Sequence, residues 1–250
     1  MRKGNYFTGT SGLVLPFKNK AFFPEEYKGM SRLEVYGKLF NSIEINSSFY
    51  NLPMPKTMER WAATVPEAFR FSFKLWQGIS HARDLNFSAE DVIRFLQVIN
   101  GVGDHKGCLL IQFPPSLRAG AITKVKELLE VFRAAEESQG WQLAMEFRHQ
   151  SWYRDETRTM LGDYQAIMVY HDKSQGAITM DDQESDVIYV RFHGPEGNYR
   201  HSYDDSYLYE YAQYVREWLD AGKDVYAYFN NTIGEAVSNL ETLKSYVLAR

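Results

Sequence analysis

Gln142-Leu-Ala-Met-Glu-Phe-Arg-His-Gln-Ser-Trp152 is the stretch whose reading decides the fold. It opens apolar, as a strand does, and closes on Glu146, Arg148 and His149, ahead of a helix expected over about 154–162. Alternate side chains of a strand face opposite sides. Met145 and Phe147 therefore share one face, and Glu146 and Arg148 the other. An apolar face suits packing against helices. A polar face that gathers at a strand's C-terminal end suits a site at the mouth of a parallel barrel.

The same division recurs outward in both directions. Ile43 and Ile45 oppose Glu44 and Asn46; Phe71 and Phe73 oppose Ser72 and Lys74; Ile111 and Phe113 oppose Gln112. Further on, Val190 and Phe192 oppose Arg191 and His193, and Ala227 and Phe229 oppose Tyr228 and Asn230. Strands are expected over 5–11, 42–46, 70–75, 107–113, 142–147, 165–170, 187–193 and 225–230. Helices are expected between them. The Ser31-Arg-Leu-Glu34 capping box opens one that runs to about Phe40. Thr57 caps a second through about Thr64, and Ser88 a third to Asn100. Ile122, Val125, Leu128, Leu129, Phe132 and Ala135 fall on one face at helical spacing. A Tyr-rich helix covers 205–221, and a last one 234–248. Residues 171–186 are polar without a clean helical period, so the sixth helix is expected to be short or missing.

Strands alternating with helices over 250 residues predict an α/β protein with a single TIM-type (β/α)8 barrel spanning 1–250. An open doubly wound sheet usually carries a Gly-rich fingerprint after its first strand, and Gly9-Thr-Ser-Gly12 does not match it. No Pro/Gly/Ser-rich linker divides the chain. The net charge of −4 gives no bulk attraction to nucleic acid or an anionic membrane. The one cysteine, Cys108, sits in an apolar run and reads as a small buried hydrophobe. No disulfide within the chain, no apolar signal core and no run of membrane-spanning length predict a cytoplasmic protein without membrane contact.

In a barrel the polar sets converge at one mouth. Glu146 or Glu44 is the expected general base if burial raises its pKa, with His193 or His149 as the acid. Arg148 and Arg191 are suited to fork onto phosphate or carboxylate oxygens. Gly194 and the Asn230-Asn231 turn open loops whose amides suit an anion. Asn46, Lys74, Gln112, Trp152, Tyr228, Asn230 and Asn231 complete the expected binding set, with Lys74 an ion-pair partner or, if desolvated, a Schiff-base amine. The other reading of these charges is a lumen of mutually satisfied ion pairs, Glu44 or Glu146 with Arg148 or Arg191. A divalent metal on Glu44, Glu146 and His193 stays open, since no tight ligand motif is present. The ligand expected is small, polar and anionic. The rival class is a non-catalytic binding protein, with nucleic acid stacking on Tyr50, Trp76, Trp152, Tyr153 and Tyr199 beside Arg83, Arg148 and Arg200.

Several stretches together resemble the YecE-like family (domain of unknown function 72): Gly9-Thr-Ser-Gly12, Ile43-Glu-Ile-Asn-Ser-Ser-Phe-Tyr50 with Leu52-Pro53, and Phe71-Ser-Phe-Lys74 with His81. Leu109-Leu-Ile-Gln-Phe-Pro-Pro115, Glu146-Phe-Arg-His149 with Ser151-Trp152, Arg191-Phe-His-Gly194, and Tyr228-Phe-Asn-Asn231 with Gly234 complete them. The resemblance implies a TIM-barrel-like fold and no particular reaction. Leu13 stands where the family often has Trp, and Thr232 where an Asp often follows the two Asn, so an acid is lacking at that loop.

Overall fold

The computed structural model describes residues 2–173 and 185–249. Among them the strand segments are β1 (Tyr6–Thr10), β2 (Ser42–Ile45), β3 (Arg70–Lys74), β4 (Lys106–Gln112), β5 (Gln142–Glu146), β6 (Ile167–Met168), β7 (Tyr170–His171), β8 (Val187–Phe192) and β9 (Asp224–Phe229). Every pairing is parallel. One sheet runs β1-β9-β8-β7 and the other β2-β3-β4-β5-β6. The sheets meet at both ends. β6 and β7 are successive pieces of one extended run broken only at Val169, whose N–H still bonds Met145 O at 2.9 Å. At the opposite seam β1 meets β2 through a Ser11–Glu44 bridge and a Gly12 N–H to Glu44 O bond of 2.7 Å. The strands therefore follow one another around a barrel in chain order, with one run split into β6 and β7.

The helices are α1 (Arg32–Leu39), α2 (Ser47–Tyr50), α3 (Pro55–Ala62), α4 (Gln77–Ser80), α5 (Ala89–Ile99), α6 (Ile122–Ala134), α7 (Asp155–Asp163), α8 (Asp205–Asp220) and α9 (Ala236–Leu248). The capping box forms as read: Ser31 Oγ accepts from Glu34 N–H, and the Glu34 carboxylate accepts from Ser31 N–H. Ser88 likewise caps α5. Thr57 does not cap α3. That helix begins two residues earlier at Pro55, whose fixed φ is already helical and whose missing N–H costs nothing there. The short α2 follows β2 directly, ahead of α3. Strand six begins later than read because Gln165 sits at φ 51°. The short or missing sixth helix was expected over residues that lie mostly outside the described ones.

Alternation sorts the side chains as expected. Ile43, Phe71, Phe73, Ile111, Met145, Phe147, Val190, Phe192, Ala227 and Phe229 belong to the core between strands and helices. Cys108, Leu110, Ala144, Ile167, Val169, Tyr189, Tyr226 and Tyr228 form a second, smaller cluster that fills the lumen. Every residue of β2 is buried, including Ser42 and Glu44, because both faces of a barrel strand are covered. No helix among the described residues is long and apolar enough to cross a membrane.

The β1–β2 seam is tight because Gly9 allows it. A Cβ at Gly9 would stand 2.0 Å from Ser42 O and 2.8 Å from the Tyr36 hydroxyl. Gly9→Ala is expected to lower the unfolding free energy by about 1–3 kcal/mol, the usual cost of overpacking. Urea denaturation followed by far-UV circular dichroism measures it. An unchanged midpoint would show that the seam has slack.

Candidate functional site

Three carboxylates and three cations meet where the strands end. Arg191, on β8, lies at the centre and is only 1% exposed. Its Nε donates to Glu44 Oε2 at 2.9 Å and its Nη2 to Glu44 Oε1 at 2.7 Å, a bidentate fork. Its Nη1 donates to Glu146 Oε2 at 2.6 Å and faces His193 Nε2 at 3.2 Å. Glu44 also accepts from Ser11 Oγ at 2.5 Å and from the Tyr189 hydroxyl at 2.6 Å. Both of its oxygens are filled, and the residue is fully buried.

Arg148 forms the next layer. Its Nη2 pairs with Glu146 Oε1 and donates to His193 Nε2 at 3.0 Å. Its Nε is buried without a partner. Two guanidinium donors facing Nε2 require that nitrogen to carry a lone pair, so the proton sits on Nδ1. Nδ1 lies 2.9 Å from Asp172 Oδ1 and donates to it. Asp172 also accepts from the His193 backbone N–H and from the Tyr203 hydroxyl, which itself accepts from Gly194 N–H. The result is a neutral imidazole fixed in one tautomer, backed by a carboxylate and capped by arginines.

The electrostatics follow from burial first. Burial opposes the Glu146 carboxylate, but Arg148 and Arg191 more than offset it and hold its pKa well below the usual range. The raised pKa expected of a buried general base is therefore not found there. Burial, reinforced by Arg191 and Arg148, pushes His193 well below an ordinary imidazole. Burial raises Asp172, although Tyr203 and the His193 amide oppose it. Lys74 is brought down to about 8 by burial and then by Arg191. Its neighbour His81 is brought down to about 4 by burial and then by Lys74.

A cleft of about 530 Å3 opens outside this cluster, lined by Gln112, Pro115, Arg148, Asp172, Lys173, Pro195, Glu196, Gly197 and Tyr199. Lys173 Nζ lies 3.9 Å from the Tyr199 ring centroid and donates to its hydroxyl at 2.8 Å. Arg148 and Asp172 belong both to the cleft wall and to the buried cluster.

The sequence-based residues thus separate. Glu44, Glu146, Arg148, Arg191 and His193 come together, and Lys74 feels all four of the Glu and Arg charges. Gln112 lines the cleft. Asn46 and Asn230 end β2 and β9 half-buried, Asn46 with an unpartnered Oδ1. Other residues belong elsewhere. Trp152 is fully buried, stacked on Phe147 at 4.4 Å, and donates to Leu117 O, so it is core and not mouth. His149 caps the turn that follows β5 by accepting from Ser151 N–H. The Tyr228 hydroxyl is held by Ser42 and Ser72 deep in the lumen. Asn231 is buried and ties the last loop to Asn239 and to His201 O. Arg191 commits four of its five N–H donors within the cluster and is sealed from solvent, so it is not placed to meet an anion from the cleft.

Several amides of the expected backbone anion cradle are used from within. Gly194 N–H goes to Tyr203, Gly197 N–H to Gly194 O, Ile233 N–H to Tyr199 O and Glu235 N–H to His201 O. Gly194 is required for packing: its φ is +99°, and a Cβ would stand 2.4 Å from Arg200 O. The open metal reading loses its donors as well. Glu44 and Glu146 turn their oxygens to guanidinium groups, and no three metal-ligating side chains are suitably grouped among the described residues. Tyr199, expected among the aromatics of the mouth, lines the cleft, whereas Asp172, Lys173 and Tyr203 were missed by sequence reasoning. The signal for Asp172 was its place directly after the sixth strand run, in His171-Asp172.

Residues 7–249 match the family described as "Protein of unknown function DUF72". The chain belongs to the DUF72 family. Among DUF72 relatives it is 26% identical to the UPF0759 protein YunF of Bacillus subtilis over 245 residues, covering 86% of this chain and 85% of that one. It is 34% identical to the UPF0759 protein YecE of Escherichia coli K12 over 86 residues, a third of each chain. A DUF72 family protein of Thermotoga maritima superposes with a TM-score of 0.75 at 25% identity, over 98% of this chain and 100% of that one. A DUF72 family protein of Enterococcus faecalis gives 0.80 at 18% identity, over 98% and 96%. A xylose isomerase domain containing protein of Salmonella typhimurium gives 0.50 at 12%, over 88% and 94%, which is a likeness of fold.

Removing one member of the cluster strands the others. Glu146→Gln leaves Arg148 and Arg191 short of an anion in a buried place, and is expected to cost about 3–5 kcal/mol of stability. The lowered folded pKa of Glu146 means its contribution is complete above the unfolded value of 4.5 and declines as pH falls below it. Unfolding free energies measured from pH 3 to 7 test both points. A variant as stable as the parent, with the same acid slope, would contradict this account.

Proposed function

We propose that the cleft binds a small polar anion through Arg148, and that the protein is an enzyme using the Asp172–His193 pair as its general base. The observation that carries this reading is the position of Arg148. It joins the buried cluster to the cleft, and its Nη2 covers the lone pair of His193 Nε2. Its Nε and Nη1, on either side of the bonded Nη2, make no hydrogen bond among the described residues, so donors remain unspent for a ligand oxygen once the guanidinium shifts. An anion that draws the guanidinium outward removes the nearer of the two arginine donors from Nε2, leaving Arg191 Nη1 at 3.2 Å beside it, with Nδ1–H already held on Asp172. A carboxylate-oriented neutral imidazole is the usual form of a general base. Burial keeps it unprotonated until the ligand arrives. Lys173 at the rim adds a second positive charge.

A phosphorylated or sugar-like acid fits these groups. The nucleic-acid reading loses Trp152, which is spent on packing, and Tyr153, whose hydroxyl donates to Phe147 O at 2.6 Å, and keeps Tyr199 and Arg148 in the cleft wall.

Titration calorimetry with pyrophosphate, phosphorylated sugars and short dicarboxylates tests the binding step. At least one is expected to bind, and Arg148→Gln to weaken it by about tenfold or more, the worth of one charge-assisted hydrogen bond. With a substrate found by screening, Asp172→Asn is expected to lower kcat while leaving anion affinity within a few-fold. Equal affinity for parent and Arg148→Gln would overturn the binding assignment. Unchanged kcat in Asp172→Asn would overturn the catalytic one.

A further inference from the structure

We propose that Lys74 is an imine-forming amine, and that the natural ligand of the mouth is a small anionic carbonyl compound, such as a 2-oxo acid or a phosphorylated aldehyde or ketone. The carbonyl part is new; the anionic part rests on the reading of the cleft given above.

The geometry singles out Lys74 among the three cations of the cluster. Glu44 is filled by Arg191, Ser11 and Tyr189; Glu146 is shared between Arg148 and Arg191; Asp172 holds His193 and Tyr203. No carboxylate remains for Lys74, and its ammonium makes no hydrogen bond or ion pair among the described residues. The ion-pair role the sequence suggested for it has no partner. Its Nζ lies 4.0 Å from the centroid of the Phe49 ring. It ends β3 in register with Leu110, two residues short of Gln112 on the neighbouring β4, and is only partly buried, so its amine stands below the level of the Gln112 and Arg148 wall of the cleft with part of its surface open to solvent.

The charges that face it come from every side of the barrel. Arg191 on β8 and Arg148 after β5 favour the neutral amine, Glu146 on β5 and Glu44 on β2 favour the ammonium, and burial favours the neutral amine most. His81, beside it, is a neutral imidazole above about pH 4. With a pKa of about 8, a usable fraction of amine is present near neutrality, unlike an ordinary lysine.

The step balances within the site. The amine nitrogen lone pair attacks the carbonyl carbon, and the C–O π pair moves to oxygen. The resulting carbinolamine loses that oxygen as water when the nitrogen lone pair forms the C=N bond. Summed, an ammonium and a carbonyl give an iminium and one water, with no net proton taken from elsewhere. The iminium then draws electrons from a neighbouring C–H or C–C bond, where the Asp172–His193 base has a proton to remove.

Reductive trapping tests this with the full chain. Glyoxylate, an anionic aldehyde, and glycolaldehyde, a neutral one, are each incubated with the protein and sodium cyanoborohydride, and the labelled lysines are identified by peptide mass mapping. Lys74 is expected to label at least tenfold faster at pH 8 than the exposed Lys56, with a yield that rises through pH 8 and levels above pH 9. Lys74→Met should remove that increment; should this variant fail to fold, the map of the parent protein decides alone. Labelling of Lys74 no faster than Lys56 by both aldehydes overturns the proposal. Selective labelling of Lys74 by glycolaldehyde, in a protein that binds no small anion by calorimetry, keeps the amine and discards the anion site.

Discussion

One buried guanidinium organises this protein. Arg191 is sealed from water, and a lone charge in such a place is prohibitively unfavourable. Glu44 from β2 and Glu146 from β5 neutralise it from two sides, and both carboxylates would be equally unfavourable without it. The three strands are therefore locked at one height and orientation by a requirement of charge balance. Glu44, Glu146 and Asp172 against Lys74, Arg148 and Arg191 make the cluster formally neutral when the histidines are neutral. Such a set is weak evidence of net stability, because desolvation consumes much of the attraction. It is a good device for holding side chains still, which a site needs.

The cluster divides by depth. Glu44 and Arg191 are saturated with internal partners and behave as a frame. Arg148 and Asp172 have one side in that frame and one in the cleft. His193 is kept behind Arg148, and Lys74 is left without an anion. The groups free to act are thus those at the boundary, and the central ones supply rigidity and field.

Much of the barrel was legible because alternation is a period-two signal that survives without knowing what lies across the lumen. Each β-strand with a clear pattern sent the expected residues inward, down to Lys74 and Gln112. The pairing of those residues was not legible. Whether Arg191 meets a ligand or Glu44 depends on strands almost 150 residues apart in sequence. Trp152 misled because it follows the strand, where parity no longer applies, and a helical turn carried it outward into the core. Asp172 went unread for a related reason. It stands in a turn just past the broken run of β6 and β7, at the start of a polar stretch. Gly194 looked like an opening for an anion, but the neighbouring Arg200 carbonyl needs the space. The lowered pKa of Glu146 is the same lesson in electrostatics: burial alone raises a carboxyl, and only the coordinates show two arginines against it.

The β1–β2 seam has a consequence for how the chain assembles. β1 is zipped along its whole length to β9, Tyr6 opposite Val225 through Thr10 opposite Phe229, but touches β2 by a single backbone bridge and side-chain clasps such as Asn41 to Thr8 N–H. Its main ladder partner is thus the last strand, in chain order, among the described residues. During synthesis the first strand has an unzipped flank for nearly the whole length of the chain, and contacts of such sequence separation are the slow ones to form. Closure of the ring, and with it the seating of Ser11 on Glu44, thus waits on the slow contacts, and the polar mouth is complete only when β1 and β9 have been brought together.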